Sequence, residues 1–229
     1  MDNIRINKLI AESGICSRRE ADRLIEAGNV EVNGETATLG ERVSTADRIT
    51  VNGKLISINE QKLYIAFHKP YGVITTTDKN SNNTVMDFIK TPSRVFPIGR
   101  LDVESSGLLL LTNDGDIVNK ILKSKNKLEK EYLVTLNKPI RGDQIQNLRD
   151  GMKLGDRKTL PAKVEQLGMR KINMILVQGM NRQIRRMCEK LGYEVKKLER
   201  IRIGRIQLSD LEPGKWRYLS RKEIESLTK

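Results

Sequence analysis

One six-residue stretch, Gly107 followed by Leu108–Leu111 and Thr112, constrains this chain more than any other. A short, unbroken apolar run bounded by turn formers reads as a buried strand. The turn formers are present on both sides: Glu104-Ser105-Ser106 ahead of it and Asn113-Asp114-Gly115 behind. Just before the strand, at its lip, stand Arg100 and Asp102, a guanidinium and a carboxylate two residues apart. A lone Arg-Leu-Asp is usually a plain turn. Loops held by buried elements, however, are where reactive groups sit.

The 229 residues suffice for one or two domains, and 38% hydrophobic with 31% charged residues is an ordinary globular mix. No apolar run approaches the roughly 18 residues needed to span a bilayer. The N-terminus has no apolar h-region, so the expected location is cytoplasmic. Cys16 and Cys188 lie far apart and fit reduced thiols there. Net charge is +13, which points to an anionic partner, nucleic acid before membrane. The charge is uneven. Residues 1–60 carry 8 Lys+Arg against 10 Asp+Glu, so the whole positive excess belongs to residues 61–229. That asymmetry suggests two units, 1–60 and 61–229.

Residues 5–12 read as a short amphipathic helix with Ile6, Leu9 and Ile10 on one face. Ser17 and Glu20 have the spacing of a capping box, so a second helix starts there and runs to about Ala27, where Gly28 stops it. Two hairpins follow, around Asn33-Gly34 and Asn52-Gly53. Residues 54–62 read as a linker. Beyond them, strands are expected at 63–67, 107–112, 131–136, 172–178 and 205–209. Helices are expected at 116–124, 141–151, 180–192 and 221–227. The irregular spacing, with no G-x-G-x-x-G or Walker pattern, gives an α+β fold around a mixed or antiparallel sheet.

Arg18, Arg19 and Arg23 cluster along the second helix, with Arg5 and Lys8 on the first. Such a cluster suits phosphates, although a solvated charged face would look the same. The stretch from Ile4 through Glu35, with its Ser-Arg-Arg-Glu-Ala core and Val-Asn-Gly hairpin, resembles the alpha-L RNA-binding motif first described in a small-subunit ribosomal protein. The resemblance reaches about residue 55. It implies binding to structured RNA, with Lys8, Ser17, Arg18, Arg19 and Asn33 at the contact surface.

A second cationic segment lies at 179–187, where Arg182, Arg185 and Arg186 would crowd within about one helical turn. Like charges that close are costly unless an anion is near. This segment, read with residues 68–76, 96–115 and 130–136 in the same order, resembles the RsuA/RluB/RluE/RluF family of RNA pseudouridine synthases, nearest its RluF branch. That resemblance implies a small alpha-L domain followed by a catalytic domain on a mixed, mainly antiparallel sheet. It implies Asp102 as the essential carboxylate and Arg100 as a holder of the extruded nucleotide. Tyr132 would pack on the target base, Arg185 would pair with Asp102, Ile184 would wall the pocket, and Lys69-Pro70 would support it from beneath. Arg182 and Arg186 would meet the RNA backbone. Gln178 stands where many relatives have glutamate. The implied substrate is large-subunit ribosomal RNA, with a tRNA stem-loop as a second target and small-subunit RNA as the alternative. The expected state is a monomer.

The implied reaction detaches uracil, turns it and rejoins it through carbon. It is redox-neutral and needs no cofactor or metal. His68 then reads as structural or surface. A paired uridine must first be flipped out, at a cost of a few kcal/mol offset by stacking and backbone contacts. Asp102 must be ionised to add covalently to the nucleotide or to abstract a ribose proton. A non-catalytic RNA-binding factor would keep the cations but leave Asp102 unexplained. Aromatics at 4% are too few for a membrane-surface protein.

Overall fold

A computed structural model of the chain describes residues 3–57, 61–78, 80–122 and 128–227. They divide into two units, Met1–Leu63 with Thr91–Val95 and Asn113–Gly115, and Tyr64–Lys90 with Phe96–Thr112 and Asp116–Lys229.

In the first unit, α1 (Ile6–Glu12) and α2 (Arg18–Glu26) bury Ile6, Leu9, Ile10, Ala21 and Ile25 together against Val30, Ile49 and Val51. Ser17 caps α2 by accepting from the Glu20 backbone N at 3.2 Å. The expected reciprocal bond is replaced, because Glu20 turns its carboxylate to Arg23 Nη1, 3.1 Å away. Four short strands pair antiparallel in the order 35–36, 30–32, 49–51, 54–55. Both Asn-Gly turns have positive φ at both central residues, 55° and 93° at Asn33-Gly34 and 51° and 72° at Asn52-Gly53. That is the geometry which closes two-residue hairpins between twisted strands. Lys54–Leu55, expected to begin a linker, is instead the return strand of the second hairpin. Residues 58–60 of that expected linker lie outside the described residues.

The second unit is built on a sheet of nine described strands: β1 (Tyr64–Lys69), β2 (Phe96–Ile98), β3 (Ser106–Thr112), β4 (Lys130–Leu136), β5 (Lys163–Gly168), β6 (Lys171–Leu176), β7 (Val195–Ile203), β8 (Ile206–Gln207) and β9 (Trp216–Tyr218). The main path runs β5-β6-β4-β7-β3-β1-β9, with β8 on β7 and β2 on β3. Every pairing is antiparallel except β7 with β3, where Glu199 and Arg200 lie opposite Ser106 and Gly107. The leucine run is β3, as expected. Leu108–Leu111 are all at most 1% exposed, so both faces are covered and no polar alternation survives. Leu108 and Leu110 join Ile117 and Ile121 of α3 (Gly115–Leu122), together with Ile203, Ile206 and Leu219. Residues 123 and 124 of the helix expected here lie outside the described residues. α4 (Gly142–Asp150), α5 (Gln183–Lys190) and α6 (Arg221–Ser226) follow the expected helices, each with shorter ends. The expected strand at 205–209 shrinks to Ile206–Gln207. The long strand is β7, whose alternating lysines, arginines and glutamates hide its period.

Gly107 fixes the parallel joint. Its φ is +106°, and a Cβ there would lie 2.6 Å from Arg200 N and 2.9 Å from Arg200 C. Only glycine allows β7 to approach this closely. The joint lashes the start of β3, and the loop ahead of it, to Arg200.

Candidate active site

The loop 99–105 crosses the end of β3 and is pinned from two sides. The Ser105 backbone N donates to the Asp102 carbonyl at 3.0 Å, and Gly72 N donates to the Val103 carbonyl at 2.8 Å. Thr75 Oγ1 donates to the Leu101 carbonyl at 2.7 Å. Asn83 ties Gly72 in turn, through Nδ2 to its carbonyl at 2.9 Å. Beneath lies Lys69, with no exposed surface, whose Nζ donates to the carbonyls of Pro70 at 2.9 Å and Val73 at 2.7 Å. Burial pushes this ammonium down to about 8; Asp102 nearby opposes that fall and Arg200 adds to it. Lys69-Pro70 thus supports the loop from below.

Above the loop a cavity of about 300 Å³ opens. Its charged lining is one carboxylate, Asp102, against four cations: Arg100, Lys130, Arg182 and Arg200. Tyr132, 9% exposed, and Ile184 supply flat and branched apolar walls, with Leu110, Leu198 and Ile203 below. Tyr132 sits on β4 directly across from Arg200 on β7, next to a register shift in that ladder. Lys130 is also lowered, mainly by burial and then by Arg200. Among the described residues no side-chain hydrogen bond or ion pair occupies the Asp102 carboxylate, which leaves its oxygens open to the cavity.

Of the residues expected at the catalytic centre, the cavity brings together Asp102, Arg100, Tyr132, Ile184 and Arg182. Arg185 is the exception. Its Nη2 donates to the Glu104 carbonyl at 2.7 Å and its Nη1 to the Val195 carbonyl at 2.9 Å, while Nε stands 3.6 Å from the Glu104 carboxylate. It therefore clamps the loop one residue beyond Val103 and makes no ion pair with Asp102. Arg182 lies outside α5, at its N-cap, with φ +49°. Its Nη2 reaches the same Glu104 carboxylate at 3.0 Å. Arg186 is on α5 but away from the cavity. Two cations went unread in the sequence, Lys130 and Arg200. Arg200 is 4% exposed on an inward position of β7, and its Nε donates to the Leu108 carbonyl at 2.7 Å. An arginine spaced at period 2 from Leu198 was the available signal.

His68 is structural. It is buried, with Nδ1 2.6 Å from the Leu211 carbonyl and Nε2 3.7 Å from Glu199. Cys188 is pushed up to about 12 by burial, so its thiol is no nucleophile at neutral pH. Gln178 is taken up by a bond from the Leu160 backbone N.

In the first unit, Arg19 is exposed, and Arg18 Nη2 donates to Asn7 Oδ1 at 3.2 Å. Lys8 pairs with Glu12 at 3.6 Å. Ser17 and Asn33 are engaged within the fold. Ser17 caps α2, and Asn33 links the hairpin turn to Asp47 at 3.0 Å and to the Arg48 backbone N at 2.9 Å. No helix of the described residues is long and apolar enough to cross a membrane.

Residues 63–190 match the RNA pseudouridylate synthase family, and residues 4–49 match the S4 domain. The chain is 50% identical to the dual-specificity RNA pseudouridine synthase RluF of Escherichia coli K12, covering 99% of this chain and 79% of that protein. It is 40% identical to the ribosomal large subunit pseudouridine synthase B of Bacillus subtilis, covering 97% and 95%. A crystal structure of a pseudouridylate synthase superposes with a TM-score of 0.73 at 34% identity, over 98% of this chain and 99% of the other.

Proposed function

Because the chain belongs to the RNA pseudouridylate synthase family, with an S4 domain ahead of the synthase domain, we propose that its substrate is a uridine of large-subunit ribosomal RNA and that Asp102 is its reacting group. The names carried by the E. coli and B. subtilis relatives support the large subunit. The words "dual-specificity" borne by the first favour a second RNA, for which a tRNA stem-loop is the candidate. The observation that carries the catalytic assignment is a single carboxylate among four cations in one cavity.

In this reading residues 1–60 grip structured RNA and residues 61–229 do the chemistry. The target uridine leaves its stack and enters the cavity. Extrusion costs a few kcal/mol, which phosphate contacts to Arg182 and Arg100 and stacking on Tyr132 offset. Ile184 closes the opposite wall. Asp102, unencumbered by other donors, then attacks the nucleotide or removes a ribose proton. The base turns and rejoins through carbon with no atom gained or lost, so the protein works without a cofactor. It acts as a monomer in the cytoplasm. Mapping pseudouridine in total RNA from cells with and without the gene tests the target: a site lost from large-subunit RNA is the expected result. Loss confined to small-subunit RNA would overturn the assignment.

A further inference from the structure

The Asp102 carboxylate lacks a donor, and a donor inside the same cavity lacks an acceptor. Arg200 is 4% exposed, and its Nη2 is buried with no hydrogen-bond partner. A buried guanidinium N–H left unpaired is expensive, so a site that retains one has an acceptor in view. Arg200 and Asp102 both line the cavity, and both act on the ammonium of Lys69. The Gly107 joint sets the Arg200 backbone against the start of β3, three residues beyond Glu104. Arg185, by contrast, spends its two terminal nitrogens on the carbonyls of Glu104 and Val195.

We propose that Arg200, and not Arg185, is the cation that keeps Asp102 ionised and aims it, while Arg185 is a positioning residue that acts through Glu104. The inference rests on Asp102 being the reacting group. The charged groups around Asp102 are Arg100 on its own loop, Lys69 from β1, Lys130 from β4, Arg182 ahead of α5 and Arg200 from β7. Arg182 is already held by Glu104, and Lys69 by two carbonyls. Lys130 Nζ donates to the Leu128 carbonyl. Arg200 alone of the buried cations has an N–H to spare.

The test is a pH profile of single-turnover pseudouridine formation on substrate RNA for wild type, R200M, R200K and R185M. Removing a cation within reach of a carboxylate raises its pKa by about 1–3 units, so the acid limb of R200M should move up by that much. R200K should recover part of the shift, because charge returns without the forked geometry. R185M should lose rate at every pH with its acid limb in place. Should R200M fail to fold, R200Q, whose amide still reaches a carbonyl, is expected to show the same displaced limb. An unmoved limb in both neutral variants, or a limb displaced in R185M but not in R200M, overturns the proposal. D102N separates this failure from that of the wider reading. If D102N retains activity, the role of Asp102 itself is wrong. If D102N is inactive while the R200M limb stays put, only the role of Arg200 is wrong.

Discussion

Replacing Gly107 with alanine tests the joint on which the site is hung. Alanine at φ +106° occupies the left-handed side of backbone space, which costs about 1–3 kcal/mol for a residue with a Cβ. The new methyl also meets Arg200 backbone N and C at 2.6 and 2.9 Å, and no side-chain rotation can move those atoms. β7 must retreat, at an overpacking cost of about 1–3 kcal/mol. The sum, about 3–5 kcal/mol, is a large share of the stability of an ordinary domain. Gly72 is the control in the same unit. Its φ is +84° but nothing lies within 4 Å of a Cβ there, so G72A carries strain alone, about 1–2 kcal/mol. The chain's one tryptophan, Trp216, lies on β9 in this unit and reports its unfolding. Urea titrations followed by its fluorescence should show G107A destabilised well beyond G72A. At temperatures where G107A stays folded it should also lose pseudouridine formation, because Arg200 moves with β7. Equal destabilisation of the two variants would refute the close-packed parallel joint.

Other consequences follow from single groups. Tyr132→Ala should weaken productive binding of the flipped base by about 1–3 kcal/mol, while Tyr132→Phe keeps most of the stacking; KM for substrate RNA distinguishes them. Lys69 is held at about 8 against an ordinary 10.5, so the unfolded chain binds its proton more tightly than the folded one. The cost to stability is complete below pH 8 and is relieved as pH rises from about 8 to 10.5. Stability of wild type relative to K69M should therefore climb through that window by about 3 kcal/mol, read from urea midpoints. Glu223 shows the opposite sign. Arg217, which donates to both its oxygens at 2.9 and 2.7 Å, is the main cause of its fall to about 2. Its contribution is present above pH 4.5 and lost as pH falls through about 2. E223Q should cost about 1–2 kcal/mol at neutral pH, since it weakens both this pair and the cap at Ser220, and the difference should vanish in acid. Filter binding of RNA should fall steeply with salt, because residues 61–229 carry the positive excess; a flat profile would argue against an extended backbone contact.

Local chemistry was legible in the sequence wherever a single rule governed it. The leucine run could only be a covered strand. Ser17 had to cap a helix, and both Asn-Gly pairs had to be tight turns. Asp102 stood out because a carboxylate led into that strand. What escaped depended on contacts distant in sequence. β7 was hidden because Lys196, Lys197, Glu199 and Arg202 interrupt its apolar positions, and Arg200 is buried only through pairing with a strand some ninety residues earlier. β5 and β9, at the two ends of the sheet path, expose much of their surface, so their alternation is faint. The arginines of 182–186 looked equivalent in sequence, yet a left-handed residue at 182 sends them to different tasks. Asn33 was read as an RNA contact, whereas its side chain stitches a hairpin turn.

The most direct test of the whole account is Asp102→Asn assayed two ways on one RNA. The substitution keeps the shape of the side chain and removes its charge and basicity. Binding to substrate RNA should remain within a few-fold of wild type while pseudouridine formation disappears. Continued formation of pseudouridine by D102N would contradict the account.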